Sequence, residues 1–270
     1  MRSWTLYLDS LFFSLSMSLR VVLILVLMAI AALIALKARF LTRSGTLAAV
    51  LLGFVVMYTG AVSGLVMFLF FFISASSVSR IVHPNKERNG RDMAQVVANG
   101  LPAALSLVLY RLSSYPEAFL IAFASCLAEA EADTLSGEIG SLSHKDPVSI
   151  VTFTRVPKGI SGGITVLGLS AGVLSSLLIA LLFMGTFTSS ISSVLIITST
   201  GFLGSVFDSL LGATLQAAYR RKDGSLTEAE IENGEKNERV RGIRWIDNDA
   251  VNFLSGLFAF SLSSVFAIIL

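Results

Sequence analysis

Long apolar runs separated by short polar joints recur from one end of the chain to the other. Runs of helix-spanning length predict eight membrane spans, roughly 21–36, 45–59, 61–78, 94–110, 116–134, 163–184, 189–216 and 250–269. Ten-residue segments of alternating polarity, the signature of a membrane barrel, are absent, so the spans are helices. Residues 4–19, WTLYLDSLFFSLSMSL, are amphipathic and interrupted by Asp9, which fits an interfacial helix or a ninth crossing. The expected fold is an all-α, polytopic membrane protein of seven to nine spans, forming one domain over residues 1–270.

Composition agrees. The chain is 54% hydrophobic and 14% charged, with a mean hydropathy of +0.78, against about 25% charged residues in soluble domains. Its net charge of +2 gives no sign of nucleic-acid binding. The one cysteine, Cys126, falls inside a span and is expected to pack as a small apolar residue. Charge placement sets an orientation: of the 20 Lys and Arg, all but Arg2, Arg20 and Arg111 fall on alternate loops. The positive-inside rule puts those loops in the cytosol, with the C-terminus outside and the plasma membrane as the expected location. The segment RRKDGSLTEAEIENGEKNERVRG (220–242), within a hydrophilic stretch 217–248, reads as a solvated cytoplasmic loop.

Polar residues enter the spans mostly from that same side. AEAEADTLSGEIG (128–140) ends the fifth span with Glu129, Glu131, Asp133 and Glu138. Glu129 and Asp133 share a helix face, and Glu131 points elsewhere. Glu129 and Glu131 read as charges snorkelling to the surface. Gly137 is expected to end or bend the helix, turning Glu138 back toward Asp133. In GFLGSVFDSLLGATLQ (201–216), Asp208 lies about 13 Å from the cytoplasmic end and is flanked at i−4 and i+4 by Gly204 and Gly212. An ionisable residue at that depth is a functional hypothesis by default. QVVANGLP (95–102) contributes Gln95 and Asn99, and IDNDAVNFLSG (246–256) contributes Asp247, Asn248, Asp249 and Asn252. Capping is the ordinary role of Asp247 to Asp249, and interhelical bonding that of Asn99 and Asn252. His83 and His144 fall in loops and are expected to be solvated.

The turn before the sixth span reads RVPKGISGGITVLG (155–168). Gly159, Gly162 and Gly163 free the backbone, Ser161 adds a hydroxyl, and Arg155 and Lys158 stand beside it. Such a turn opening a helix is an anion site. Acidic residues beside an anion site imply a shared divalent cation. Mg²⁺, which takes one or two carboxylates plus phosphate oxygens and water, suits Asp133, Glu138 and Asp208. Phosphoryl transfer from a nucleotide needs these parts, and the acceptor would be a lipid-like alcohol or phosphate lying among the helices. A secondary transporter using Asp208 as carrier, or a CTP-dependent lipid nucleotidyltransferase, would draw on the same residues.

Six segments in order, RSGTLAAVLLG (43–53), QVVANG, ADTLSGEIG (132–140), RVPKGISGGITVLG, GFLGSVFDSLLGATLQ and IDNDAVNFLSG, resemble a family of integral membrane proteins. That family contains plant phytyl-phosphate kinase and its prokaryotic and animal relatives. The resemblance implies a kinase converting an isoprenoid monophosphate to its diphosphate, with CTP as donor. It carries over to Asn99, Asp133, Glu138, Ser161, Gly162, Gly163, Asp208, Gln216, Asn248 and Asn252. Glu129 and Glu131 depart from its pattern, as does Lys158, where the family has an uncharged residue.

Overall fold

The computed structural model describes residues 4–83, 90–187, 190–232 and 234–269. Arg2, Lys86 and Arg88, which enter the charge asymmetry, lie outside them. Eight helices make up the body: α1 (Trp4–Ser14), α2 (Met17–Lys37), α3 (Arg43–Val82), α4 (Met93–Leu112), α5 (Pro116–Ser141), α6 (Val166–Phe187), α7 (Ile191–Thr214) and α8 (Asn248–Ile269). The protein is therefore an all-helical polytopic membrane protein, as the apolar pattern predicts.

Six of these helices, rather than seven to nine, are long and apolar enough to cross a membrane: α2, α3, α4, α6, α7 and α8. The expected spans 45–59 and 61–78 form the single helix α3, interrupted at Ala61, where φ is 53° and ψ is −147°. That conformation turns the chain back on itself. Val56 packs on Gly64, Leu52 and Phe68 both meet Gly100, and Phe40, just before α3, meets Phe72 of its second half edge to face. The expected span 116–134 is α5, whose carboxylates take it out of the apolar set. It needs no lipid-compatible surface, because α3, α4, α6, α7 and α8 all pack around it. Its small residues, Ala118, Ala122, Ala124, Ser125, Cys126, Ala128, Ala130 and Ala132, are buried and let those helices approach closely. Cys126 is buried there, as its position predicts.

The break at Ala61 leaves two helix ends at the turn, away from the end where α3 starts and finishes. Thr59 offers a carbonyl that the first half of α3 no longer uses, and Arg111 Nε donates to it at 2.7 Å. Ser63 opens the second half, and Asp9 of α1 accepts from its backbone amide at 3.0 Å and its hydroxyl at 2.6 Å. A carboxylate thus meets the positive end of one half-helix, and a guanidinium the negative end of the other. Helix α1, at 11 residues, is too short to cross; it packs on α3 and α6.

The polar stretch 217–248 is not the plain solvated loop its composition predicts. Strands β3 (Ala218–Arg220), β4 (Leu226–Thr227) and β7 (Glu238–Arg241) form an antiparallel sheet in the order β4-β3-β7. A hairpin, β5 (Ile231–Glu232) with β6 (Glu235–Lys236), lies between β4 and β7 in sequence. Its mixed charges pair with each other instead of coating a coil: Arg221 with Glu232, and Arg244 and Lys236 with Glu230. The hydrogen bond from Arg244 leads in holding the Glu230 carboxyl below its ordinary range, and Arg221 does the same for Glu232. Tyr219, Ala218 and Thr227 are buried beneath, and Arg241 ties the lobe to the Gly212 carbonyl of α7 at 2.9 Å. Strands β1 (Val148–Ser149) and β2 (Gly163–Ile164) pair antiparallel before α6.

Candidate functional site

Both ends of α3 return to one end of the bundle, where Thr42 and Arg91 pair through their backbones. At that end α4, α5, α7 and α8 surround a cavity of about 1050 Å³. Among the residues expected in a site, it is lined by Asn99, Asp133, Glu138, Lys158, Gly159, Ser161, Gly162, Gly163, Asp208, Asn248, Asp249 and Asn252. Arg155 and Gln216 are not in that lining. Arg155 is exposed on the β1–β2 turn, and Gln216 is buried where its backbone pairs with Ile243 below α7.

The carboxylates form one group on the α5–α7–α8 side. Asp133 of α5 and Asp208 of α7 both line the cavity, near enough for their charges to act on each other. Ser255 of α8 donates to Asp208 Oδ2 at 3.1 Å and stands 2.7 Å from Glu129 Oε1. With its amide nitrogen turned toward them, Asn252 donates to the same Asp208 oxygen at 3.0 Å and to the Asn248 carbonyl at 3.3 Å. Glu129 is therefore not a snorkelling charge: it is 3% exposed and tied into this network. Glu131 is likewise fully buried, on the opposite face of α5. The reason is α5's central position, in which every residue from 122 to 132 is buried.

Gly137 does not end α5. The helix continues to Ser141, and no atom lies near where a Cβ at Gly137 would point. Glu138 consequently does not turn back to Asp133 but meets His83 at 3.0 Å across the cavity. His83, read as a solvated loop residue, is thus part of the wall. Asp247 caps α8 through the Ala250 amide at 2.9 Å, leaving Asn248 and Asp249 facing the cavity.

Small residues on α7 set how close the walls come. A Cβ at Gly204 would lie 2.5 Å from Glu129 Cγ, and one at Gly212 would lie 3.0 Å from Ser161 Cβ. The Gly-Asp-Gly face of α7 therefore seats α5 at one glycine and the 157–163 turn at the other, holding Asp208 between them. Gly162, with φ +86°, presses on Ala213 so tightly that an added Cβ would lie 2.4 Å from its methyl. Lys158 does not reach into the cavity as a free charge: its Nζ donates to the Ser141 and Ser143 carbonyls at 3.1 and 2.6 Å, closing the end of α5. The Ser161 amide donates at 2.9 Å to Glu228 Oε1, a carboxylate from the β-lobe standing where the turn would accept an anion.

The opposite wall is basic, and sequence reasoning missed it. Arg39, Arg80 and Arg91 line it beside His83 and Gln95. Arg80 donates to the Ala38 carbonyl and lies 3.7 Å over the Phe40 ring. Burial pulls the Arg91 guanidinium below its ordinary value, and the charges of Glu131 and Glu138 act against that pull. In sequence these arginines are indistinguishable from loop charges that orient the chain.

Among the described residues no three His, Cys, Asp or Glu side chains converge as a metal cage. The Asp133–Asp208 pair does fit Mg²⁺, whose remaining positions are usually filled by phosphate oxygens and water. Glu138, bound to His83, stands outside that pair.

The chain is thus a helical membrane protein with a large polar cavity at one end, acidic on one wall and basic on the other. The chain belongs to the integral membrane protein DUF92 family, whose model matches residues 26–260. It is 36% identical over 190 residues to an uncharacterised membrane protein of Methanocaldococcus jannaschii, covering 68% of this chain and 79% of that one. Protein PGR of Arabidopsis thaliana is 29% identical over 268 residues, covering 85% and 90%. Protein VTE6, chloroplastic, of the same plant is 24% identical over 244 residues, covering 85% of this chain and 65% of that one. No solved structure matches.

Proposed function

We propose that the protein is a kinase that transfers the terminal phosphoryl group of a nucleoside triphosphate, CTP above others, to an isoprenyl or phytyl-type monophosphate. The cavity carries this reading: one space joins a carboxylate pair, a glycine turn and three arginines. The resemblance to the family of plant phytyl-phosphate kinase supplies the acceptor class. An oxygen of the acceptor phosphate attacks the terminal phosphorus, the bond to the bridging oxygen breaks, and a nucleoside diphosphate leaves. The acceptor is already ionised, so no side chain need remove a proton from it. Arg39, Arg80 and Arg91 hold phosphate charge, the 159–163 turn contacts the nucleotide's phosphates once Glu228 gives up the Ser161 amide, and Asn99, Asn248 and Asn252 orient the ligands. Asp133 and Asp208 are the residues that would hold Mg²⁺, which neutralises phosphate charge when bound. In this reading the site faces the cytoplasm, which the positive-inside rule supports through the basic loops at this end.

The test is to incubate the purified chain with γ-labelled CTP, Mg²⁺ and geranylgeranyl or phytyl phosphate. Labelled isoprenyl diphosphate and CDP are the expected products. A CDP-lipid with release of inorganic diphosphate would replace this reading with nucleotidyl transfer. Proton-coupled uptake without turnover would make the protein a transporter.

A further inference from the structure

A second, smaller space adjoins the polar cavity. It lies between α2, α3 and α4, measures about 90 Å³, and is walled by Met28, Ala32, Ala49, Gly53, Phe68 and Phe72. At its polar end stand Arg91, Gln95 and Asn99, and these three residues also line the large cavity. The two spaces thus form one amphipathic path: guanidinium and amides where they meet, then hydrocarbon outward to α2.

We infer that this cleft takes the first isoprene unit of the acceptor's chain while its phosphate lies against Arg91, an assignment that rests on the kinase reading above. A ligand with a phosphate head and an unbranching path of one chain matches the cleft's two characters. The walls are already close: a Cβ at Gly53 would lie 2.6 Å from Met28 Sδ, and one at Gly100 would lie 2.9 Å from Leu52 and 3.1 Å from Phe68. A space of about 90 Å³ does not admit two acyl chains side by side. An isoprenoid leaving the bilayer gains little from hydrocarbon-to-hydrocarbon transfer. The cleft therefore selects by shape.

The experiment uses the full chain in detergent with a geranylgeranyl phosphate analogue bearing a diazirine on its first isoprene unit, followed by peptide mapping. Labelling is expected within residues 28–53 and 65–72, displaced by geranylgeranyl phosphate but not by phosphatidylglycerol. Ala49→Phe, which fills the cleft, should lower that labelling at least tenfold. Labelling of α6 or α7 instead, or equal displacement by phosphatidylglycerol, overturns the assignment. Phosphate transfer is measured in parallel. Cleft labelling without transfer to any isoprenyl phosphate upholds the cleft and removes the kinase reading alone. Transfer with labelling elsewhere does the reverse.

Discussion

Asp208 shows how a single side chain is fixed by its neighbours before it can act. It takes hydrogen bonds from Ser255 and Asn252, lies beside Asp133, and is clamped between the glycine contacts of α7. Asp208→Asn and Asp133→Asn should each lower phosphate transfer by about 10²-fold or more, the scale seen when a preorganised charge-stabilising group is lost. The proteins should still insert and elute as the parent does in size-exclusion chromatography. Retained turnover in either variant would take that residue out of the site. Asp133, Asp208, Asn99 and Asn252 were legible in the sequence because polar residues deep in apolar runs are conspicuous. Arg39, Arg80 and Arg91 were not, because near helix ends a ligand-binding arginine and a topology-setting arginine look alike. Glu129 and Glu131 were misread for a related reason: only the packing reveals that residues 122–132 of α5 are enclosed by other helices.

At the scale of elements, the spans were legible from hydropathy, but the join within α3 was not. Nothing in GAVSG (60–64) marks Ala61 as the turning point, since a left-handed φ at alanine is set by tertiary contacts rather than propensity. Asp9, which interrupts the amphipathic segment 4–19, and Arg111, an exception to the charge asymmetry, are the contacts that complete it. Asp9→Ala and Arg111→Ala should each destabilise the protein by about 1–3 kcal/mol, the desolvation penalty of an orphaned backbone or polar group. Thermal unfolding in detergent measures this. The double variant should fall short of the sum, because both act on one break. A separate prediction concerns α7. Gly204→Val drives a side chain into Glu129 and Ala259 and should cost about 1–3 kcal/mol of stability. Gly137→Ala, with open space around it, should be neutral or slightly stabilising in the same assay.

For the whole molecule, the charge asymmetry makes a prediction that labelling can check. Single cysteines at Ser143 and Asp223 should react with a membrane-impermeant maleimide only after cells are opened. One at Ser113 should react in intact cells. The native Cys126 is buried, which keeps the background low. Reaction of Ser143→Cys in intact cells would invert the orientation and move the cavity away from cytosolic nucleotide. The folded lobe of 217–248 was not legible because its strands are two to four residues long and its charges alternate in sign as they would on a solvated surface.

The bend in α3 also has a bearing on biogenesis. Its two anchors come from opposite flanks of the chain: Asp9 has already left the ribosome when Ala61 emerges, whereas Arg111 is still to be made. Until α4 arrives, the Thr59 carbonyl has no donor, so the hairpin can enter the translocon half-secured and lock only when a later segment joins it. Nascent chains arrested shortly before Arg111 should remain accessible to chaperones and membrane proteases, and those arrested after α4 should escape them.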